Sequence, residues 1–300
     1  MTDQSEYVTY FNGEWVPHGQ VRISPDDRGF TLSDVVFDIA RTFDGRPFRL
    51  QDHIDRLYRS MRYLRIDSGI AAEEMTEICS EVVRRNEPSR PQVGDFTINP
   101  FVTRGPSLDG PPTVCVRVKP VAFATFARAY VEGVQALIAT ARSYSTDSME
   151  PKVKHHSRLN MVLAELEASD VGPDAQPIML DRDGNVTEGI GWNVFAVADG
   201  VLRTPTDRSI LQGVSRRVVM ELADQLDLTV IEEDMQPYDL YTADEAFFTS
   251  TPFSLLPVTQ VDRRPIGDGE PGPVTQQLLA AWSEAVGLDI VDQALRFSRG

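Results

Sequence analysis

Asn-Gly and Asp-Gly pairs at 12–13, 44–45, 183–184 and 199–200 punctuate this chain. Such a pair between apolar runs is the strongest short-range hairpin signal, because a tight hairpin turn needs positive φ at both central residues. Antiparallel strand pairs are thereby required. Tyr7–Phe11 and Glu14–Val16 read as the first pair, and Val35–Phe43 as one apolar strand closed by the Asp44-Gly45 turn. Ile54, Leu57, Tyr58, Met61 and Leu64 then recur at helical spacing, with Asp52 placed to cap them. A second helix is expected over Ala72–Arg85, followed by a Pro/Ser/Arg-rich loop at 87–92. Further strands read at Phe96–Thr103, Thr113–Val118, Gln135–Ala141, Pro177–Leu180 and Ala246–Thr249. Helices read at Asn160–Ala168, from Gly213 through Leu222, and at Val274–Ala285. Hairpins and helices mixed without strict βαβ alternation indicate an α+β fold. We expect two domains: a smaller one over 1–127, a linker at 128–134 and a larger one over 135–300.

A chain of 300 residues with 41% hydrophobic content can bury a full core. Its net charge of −16 excludes nucleic acid as a partner, since phosphates would repel the surface. Cys79 and Cys115 are isolated thiols, neither a disulfide framework nor a metal cluster. The start, Met1 to Glu6, has no basic segment or apolar run of the kind that marks a signal peptide. No apolar stretch reaches the roughly 18 residues of a membrane helix. A cytoplasmic protein of enzyme size is expected.

The chemistry concentrates in the segment Thr187 to Phe195, with Lys154 before it and Thr204-Pro205 and Leu211 to Arg216 behind it. Among 29 basic residues only Lys119, Lys152 and Lys154 are lysines, so a Schiff-base amine has three candidates. Lysine held among apolar groups loses its proton more easily and then attacks carbonyls. Alternation on a strand would point Lys152 and Lys154 the same way, so spacing does not choose between them. Leu211-Gln212-Gly213-Val214-Ser215 at a helix start offers free amides and a hydroxyl, which is what a phosphate requires. Taken alone, a glycine before a helix is more often punctuation. Glu188 in its glycine-flanked turn is, by the same standard, a solvated acid, and Gly189 and Gly191 lack the third glycine of a dinucleotide fingerprint. Arg56 lies among the polar positions of its helix, where exposure is the default. His155 and His156 diverge on any regular element and no further ligand completes a set, so no metal is expected.

Together these residues resemble the class IV aminotransferases, the pyridoxal-phosphate enzymes of fold type IV. The likeness runs from about Asp27 to Val261 and rests on Thr-Glu-Gly at 187–189, Asn193-Val194-Phe195, Thr204-Pro205 and Leu211-x-Gly213-Val214-Ser215-Arg216. It implies a small N-terminal α/β domain and a larger domain with a mixed, barrel-like sheet. By resemblance, pyridoxal 5'-phosphate would be carried on Lys154, favoured over Lys152 by Lys154-His155-x-x-Arg158-Leu159. Glu188 would pair with its pyridinium nitrogen, and Asn193 belongs to the same motif. Arg56, Gly213, Val214, Ser215, Ser250 and Thr251 would surround the phosphate, Leu211 would pack on the ring, and Arg158 would reach the phenolic oxygen. Branched-chain members share a Tyr-x-Arg pair where this strand reads Thr97-Ile98-Asn99. The D-amino-acid branch has an Arg-x-His clamp where this loop reads Leu108-Asp109-Gly110-Pro111. Both departures take a cation from the expected pocket and leave Arg104 as the nearest loop cation. The stretch Arg28 to Asp38, with Phe48-Arg49-Leu50-x-Asp52-His53, is similar to the (R)-amine transaminases. Phe37, Asn99, Phe101 and Phe253 would then contact the substrate.

The expected activity is a ping-pong transamination from a hydrophobic (R)-amine, D-amino acid or branched-chain amino acid to a 2-oxo acid. By resemblance the enzyme is a homodimer with its sites at the subunit interface. An aminodeoxychorismate-lyase-like enzyme that releases pyruvate is the alternative, separated by acceptor dependence. A binding protein that kept the fold would fail to hold the cofactor.

Overall fold

The computed structural model describes residues 4–298. The expected absence of a leader therefore rests, for Met1 to Asp3, on residues outside that range. Contacts divide the chain into two units. Among the described residues, one comprises those up to Ala122 plus Val153–Ser157; the other comprises Phe123–Lys152 and Arg158–Ser298. At the linker expected over 128–134 the chain forms a helix, Ala129–Glu132, and enters a strand at Val134. Val153–Ser157 joins the first unit because Lys154 bonds to Phe37 and Ser60 and His155 bridges to Val36.

The first unit is built on a seven-stranded antiparallel sheet. Its order runs Glu14–Pro17, Val8–Phe11, Thr113–Pro120, Phe96–Thr103, Ala40–Phe43, Arg46–Phe48, with Val35–Phe37 also on the Phe96–Thr103 strand. The first turn is as expected, with Asn12 at φ 50° and Gly13 at φ 94° joining Phe11 to Glu14. Helices Leu50–Leu64 and Ala72–Asn86 cover one face, where Ile54, Leu57, Met61, Met75, Cys79 and Val82 pack against Val36, Ile98, Val102 and Val116. Each fully buried aliphatic side chain contributes about 1.5–3 kcal/mol.

Three local expectations are corrected here. The Val35–Phe43 run is two strands, broken at Asp38-Ile39, because the Asp38 carboxylate turns out of the ladder to meet Arg56. Asp52 lies in the first turn of its helix; the cap is Arg49, in a left-handed conformation at φ 51°. The 87–92 loop is instead a 3-10 turn, Glu87–Ser89, and a short helix, Arg90–Val93.

The second unit holds an eight-stranded mixed sheet. Its order is Val230–Glu233, Val201–Pro205, Asn193–Ala198, Glu245–Ser250, Ser254–Val261, Val134–Arg142, Gln176–Leu180, with Arg264–Pro265 beside Ser254–Val261. The pairs Val201–Pro205 with Val230–Glu233, Ser254–Val261 with Val134–Arg142, and Val134–Arg142 with Gln176–Leu180 are parallel. Phe195 and Phe247 stack across adjacent central strands with centroids 5.0 Å apart. Helix Pro273–Val286 is fastened by buried Glu245, which accepts from the amides of Val274 and Thr275 and from Thr275 Oγ1 at 2.6–2.9 Å. A carboxylate there satisfies orphan donors and complements the helix dipole. Glu245→Ala is expected to cost about 2 kcal/mol. Urea denaturation measures it, and a loss under about 0.5 kcal/mol would show that water replaces the carboxylate. A last helix, Ile290–Phe297, is one that the sequence patterning does not announce.

Candidate active site

In the first unit, Lys154 is held by its backbone. Its carbonyl accepts from the Phe37 amide (3.0 Å), and its own amide donates to Ser60 Oγ (3.2 Å). Ser60 in turn donates to the Arg56 carbonyl at 3.0 Å. The Lys154 Nζ lies 4.8 Å from the Phe37 ring centroid, and the same ring packs against His156. Lys152 differs: its Nζ is 3.3 Å from Glu150 Oε1, an ion pair within the second unit. The two lysines that spacing left equivalent are thus in different surroundings.

Arg56 is buried, at 4% exposure, and not on a solvated helix face. Its Nε and Nη2 donate to Asp38 Oδ2 and Oδ1, both at 2.8 Å, a two-pronged charge-assisted pair. His53 Nδ1 lies 2.7 Å from the same Oδ1. Burial alone would raise the Asp38 pKa, but the Arg56 charge and the His53 contact hold the carboxyl well below the usual carboxylate range. His53 is pushed down by its own burial; Asp38 opposes this, while the Arg56 and Lys154 charges add to it. Sequence reasoning missed Asp38 and His53 as partners of Arg56. The signal was an acid inside the apolar run Val35–Phe43, followed by His53 three residues before the arginine.

Asn99 donates Nδ2 to the Asp38 carbonyl (2.7 Å) and accepts from Arg117 Nε (3.3 Å). Phe101 lies opposite Phe37 in the antiparallel register. Arg104, the expected pocket cation, is committed elsewhere. It donates to both Asp34 carboxylate oxygens and to the Leu64 and Arg65 carbonyls at 2.7–3.1 Å, bracing the loop that follows its strand.

In the second unit, Glu188 Oε2 accepts from Asn193 Nδ2 and from the Leu211 amide, both at 3.1 Å. Asn193 Nδ2 also donates to the Leu211 carbonyl at 3.1 Å. One amide therefore ties the acid to the loop that leads into helix Val214–Gln225. That helix opens at Gly213, an N-cap residue with no side chain to cap its first amides. A Cβ on Gly213 would lie 2.0 Å from Asn193 Oδ1, so glycine is required for the amide to reach across. Arg158 is pulled below its ordinary pKa by burial, which the neighbouring Glu188 charge opposes. Ser250 donates to the Gly191 carbonyl at 2.5 Å, Thr251 follows it in the turn, and Thr249 Oγ1 is buried without a partner among the described residues. Phe253 packs edge-on against Phe126, within this second unit.

The sequence profile of the family "Amino-transferase class IV" matches residues 35–261. The chain is a class IV aminotransferase. A putative branched-chain-amino-acid aminotransferase of Methanocaldococcus jannaschii is 37% identical, covering 90% of this chain and 93% of its own length. A D-alanine aminotransferase of Staphylococcus haemolyticus is 30% identical, with coverages of 92% and 97%. Among solved structures, the Escherichia coli branched-chain amino acid aminotransferase superposes at a TM-score of 0.86, with 28% identity and coverages of 92% and 93%. The Thermobaculum terrenum branched-chain enzyme in its PLP form gives 0.83, at 26% identity and coverages of 99% and 98%.

This class IV aminotransferase depends on pyridoxal phosphate, and its residues fit the group. The uncapped start of helix Val214–Gln225 suits a phosphate, and a carboxylate fixed from two sides suits a protonated ring nitrogen. Among the described residues no cluster of three or more His, Cys, Asp or Glu could hold a metal ion, and no helix is long and apolar enough to cross a membrane. Both cysteines are buried thiols, with Cys115 pushed up to about 12 by burial and Cys79 also raised.

Proposed function

We propose that this enzyme moves the amino group of a branched-chain or D-configured amino acid to a 2-oxo acid, in two half-reactions at one site. One observation carries the reading. In a chain of this family, a lysine is anchored through its backbone by Phe37 and Ser60, and an acid is anchored by Asn193 and the Leu211 amide. The donor class follows the relatives named for branched-chain and D-alanine transfer.

When bound, the cofactor supplies an electron sink for the charge left as the substrate C–H bond breaks. Lys154 would be the residue that holds the group, and its Nζ would be the base that moves the substrate proton. Glu188, aimed by its bond from Asn193, would hold the proton on the ring nitrogen. The Val214 and Ser215 amides beyond Gly213, with Ser250 and Thr251, would hold the phosphate, and Leu211 and Arg158 would complete the cofactor's surroundings. Arg56, fixed by Asp38, presents a second cation to an anion, and Phe37, Asn99, Phe101 and Phe253 contact the donor.

The reading includes a cytoplasmic homodimer. Helix Leu159–Val171 supports the dimer, because Leu159, Val162, Leu163 and Leu166 share one face and are 44–70% exposed, an apolar stripe of the kind that marks an interaction surface. Light scattering should give twice the 33.4 kDa chain mass.

The test is the absorption spectrum of protein saturated with pyridoxal phosphate, before and after L-leucine, D-alanine or (R)-1-phenylethylamine. Bleaching by an amino acid, restored by a 2-oxo acid, is expected. Pyruvate release without an acceptor would replace the transaminase reading with the lyase, and no bound band would overturn both.

A further inference from the structure

We propose that Arg117 binds the substrate carboxylate, so that this enzyme selects amino acids and 2-oxo acids over simple amines. The inference rests on the transaminase reading above and names its substrate class. It begins from a cation that the Phe96–Thr103 strand does not carry: Asn99 stands there, and Arg104 is locked to Asp34.

The neighbouring strand supplies one. In the antiparallel register Phe37 faces Phe101, Phe101 faces Cys115, Asn99 faces Arg117, and Thr97 faces Lys119. Directly opposed residues share a face of the sheet, so these side chains form one ladder. The other face holds Ile98, Val102, Val116 and Val118 in the core under the helices. The Phe37 end of the ladder carries the Lys154 amine at 4.8 Å. The Asn99–Arg117 rung is one same-face step further along, about 7 Å by strand geometry, and Arg117 lies two strands across from Phe37, about 10 Å.

Asn99 fixes how Arg117 is presented. Its Nδ2 is spent on the Asp38 carbonyl at 2.7 Å, which leaves Oδ1 to accept from Arg117 Nε at 3.3 Å. The guanidinium is held at Nε, and its two outer nitrogens form the edge that grips carboxylates in a two-pronged pair. Among the described residues Arg117 makes no ion pair, whereas Arg28, Arg90 and Arg208 are each matched by an aspartate. The field around it is positive. Lys119 is pulled below its ordinary pKa, mainly by Arg117, and His18 by burial and then by Arg117 and Lys119. A half-buried arginine beside a lysine, in a chain of net charge −16, is arranged for an anionic ligand.

Arg117→Gln tests this by two routes. Isothermal titration with 4-methylvalerate, an unreactive carboxylate, needs no turnover. Binding by the wild-type holoenzyme that weakens about 10- to 100-fold in the variant is expected, the range for losing a charge-assisted pair. No binding by the wild type, or equal binding, would overturn the proposal. Steady-state kinetics should show a comparable rise in KM for the amino and 2-oxo acids, with kcat changed less than about three-fold. The first half-reaction with (R)-1-phenylethylamine, which has no carboxylate, read without acceptor as bleaching of the bound-cofactor band, should be unchanged. Equal losses for amine and acids would mean a structural role for Arg117 and sink the inference. Failure of the transaminase reading appears separately, as absence of the bound-cofactor band in wild type.

Discussion

Lys154→Ala is expected to abolish turnover, by about 10⁴-fold or more, while leaving the protein folded. No other amine in the described chain can take over. Lys152 is paired with Glu150, and Lys119, opposite Thr97, stands two same-face steps along the ladder from the Phe101 rung, about 14 Å by strand geometry. The backbone bonds that hold residue 154, to Phe37 and Ser60, use no side-chain atom of the lysine and persist in the variant. The loss therefore isolates the amine. Stopped-flow spectra and steady-state rates measure it, with thermal unfolding as the control. A variant that keeps both the bound-cofactor band and turnover would remove Lys154 from the mechanism.

The second large effect concerns Asp38. Asp38→Asn should destabilise the protein by about 3–5 kcal/mol, because it leaves the Arg56 guanidinium buried beside a neutral group. Arg56→Ala should do the same by stranding the carboxylate. The pair also sets the response to acid, and both groups push in the same direction. Asp38 has a depressed folded pKa, so its contribution is present above its unfolded value of about 4 and is lost as pH falls below that. His53 is also depressed, so the unfolded chain binds the proton first, and stability falls as pH drops below about 6.5. Urea midpoints between pH 7 and 3 should decline in two stages, and Asp38→Asn should flatten the lower one. An unaltered lower stage would mean that other carboxylates govern acid unfolding.

Much of this architecture can be read from local signals. The Asn12-Gly13 turn, the Phe96–Thr103 strand and the glycine that opens the Val214–Gln225 helix depend on neighbours in sequence, so propensity and periodicity reveal them. The Lys154, Glu188 and Gly213 motifs are likewise strings with recognisable spacing. What stays hidden depends on partners far along the chain. Asp38 looks like an interruption in an apolar strand because its partner is 18 residues away on a helix. Arg56 reads as exposed for the same reason. Arg117 shows nothing in its own strand; its importance comes from Asn99 across the ladder. Position in sequence puts the Val153–Ser157 segment in the larger domain, although its bonds tie it to the first unit.

The contact between Gly213 and Asn193 has a consequence for how this gene can vary. Any side chain at 213 would press on Asn193 Oδ1, and that amide is also what aims Glu188. An allele altered at the start of the helix would thus carry its defect, through Asn193, into Glu188. It would look like a lesion in two places from a single codon. Positions 213 and 193 are therefore sterically coupled: a larger residue at the first is expected to need a shorter one at the second.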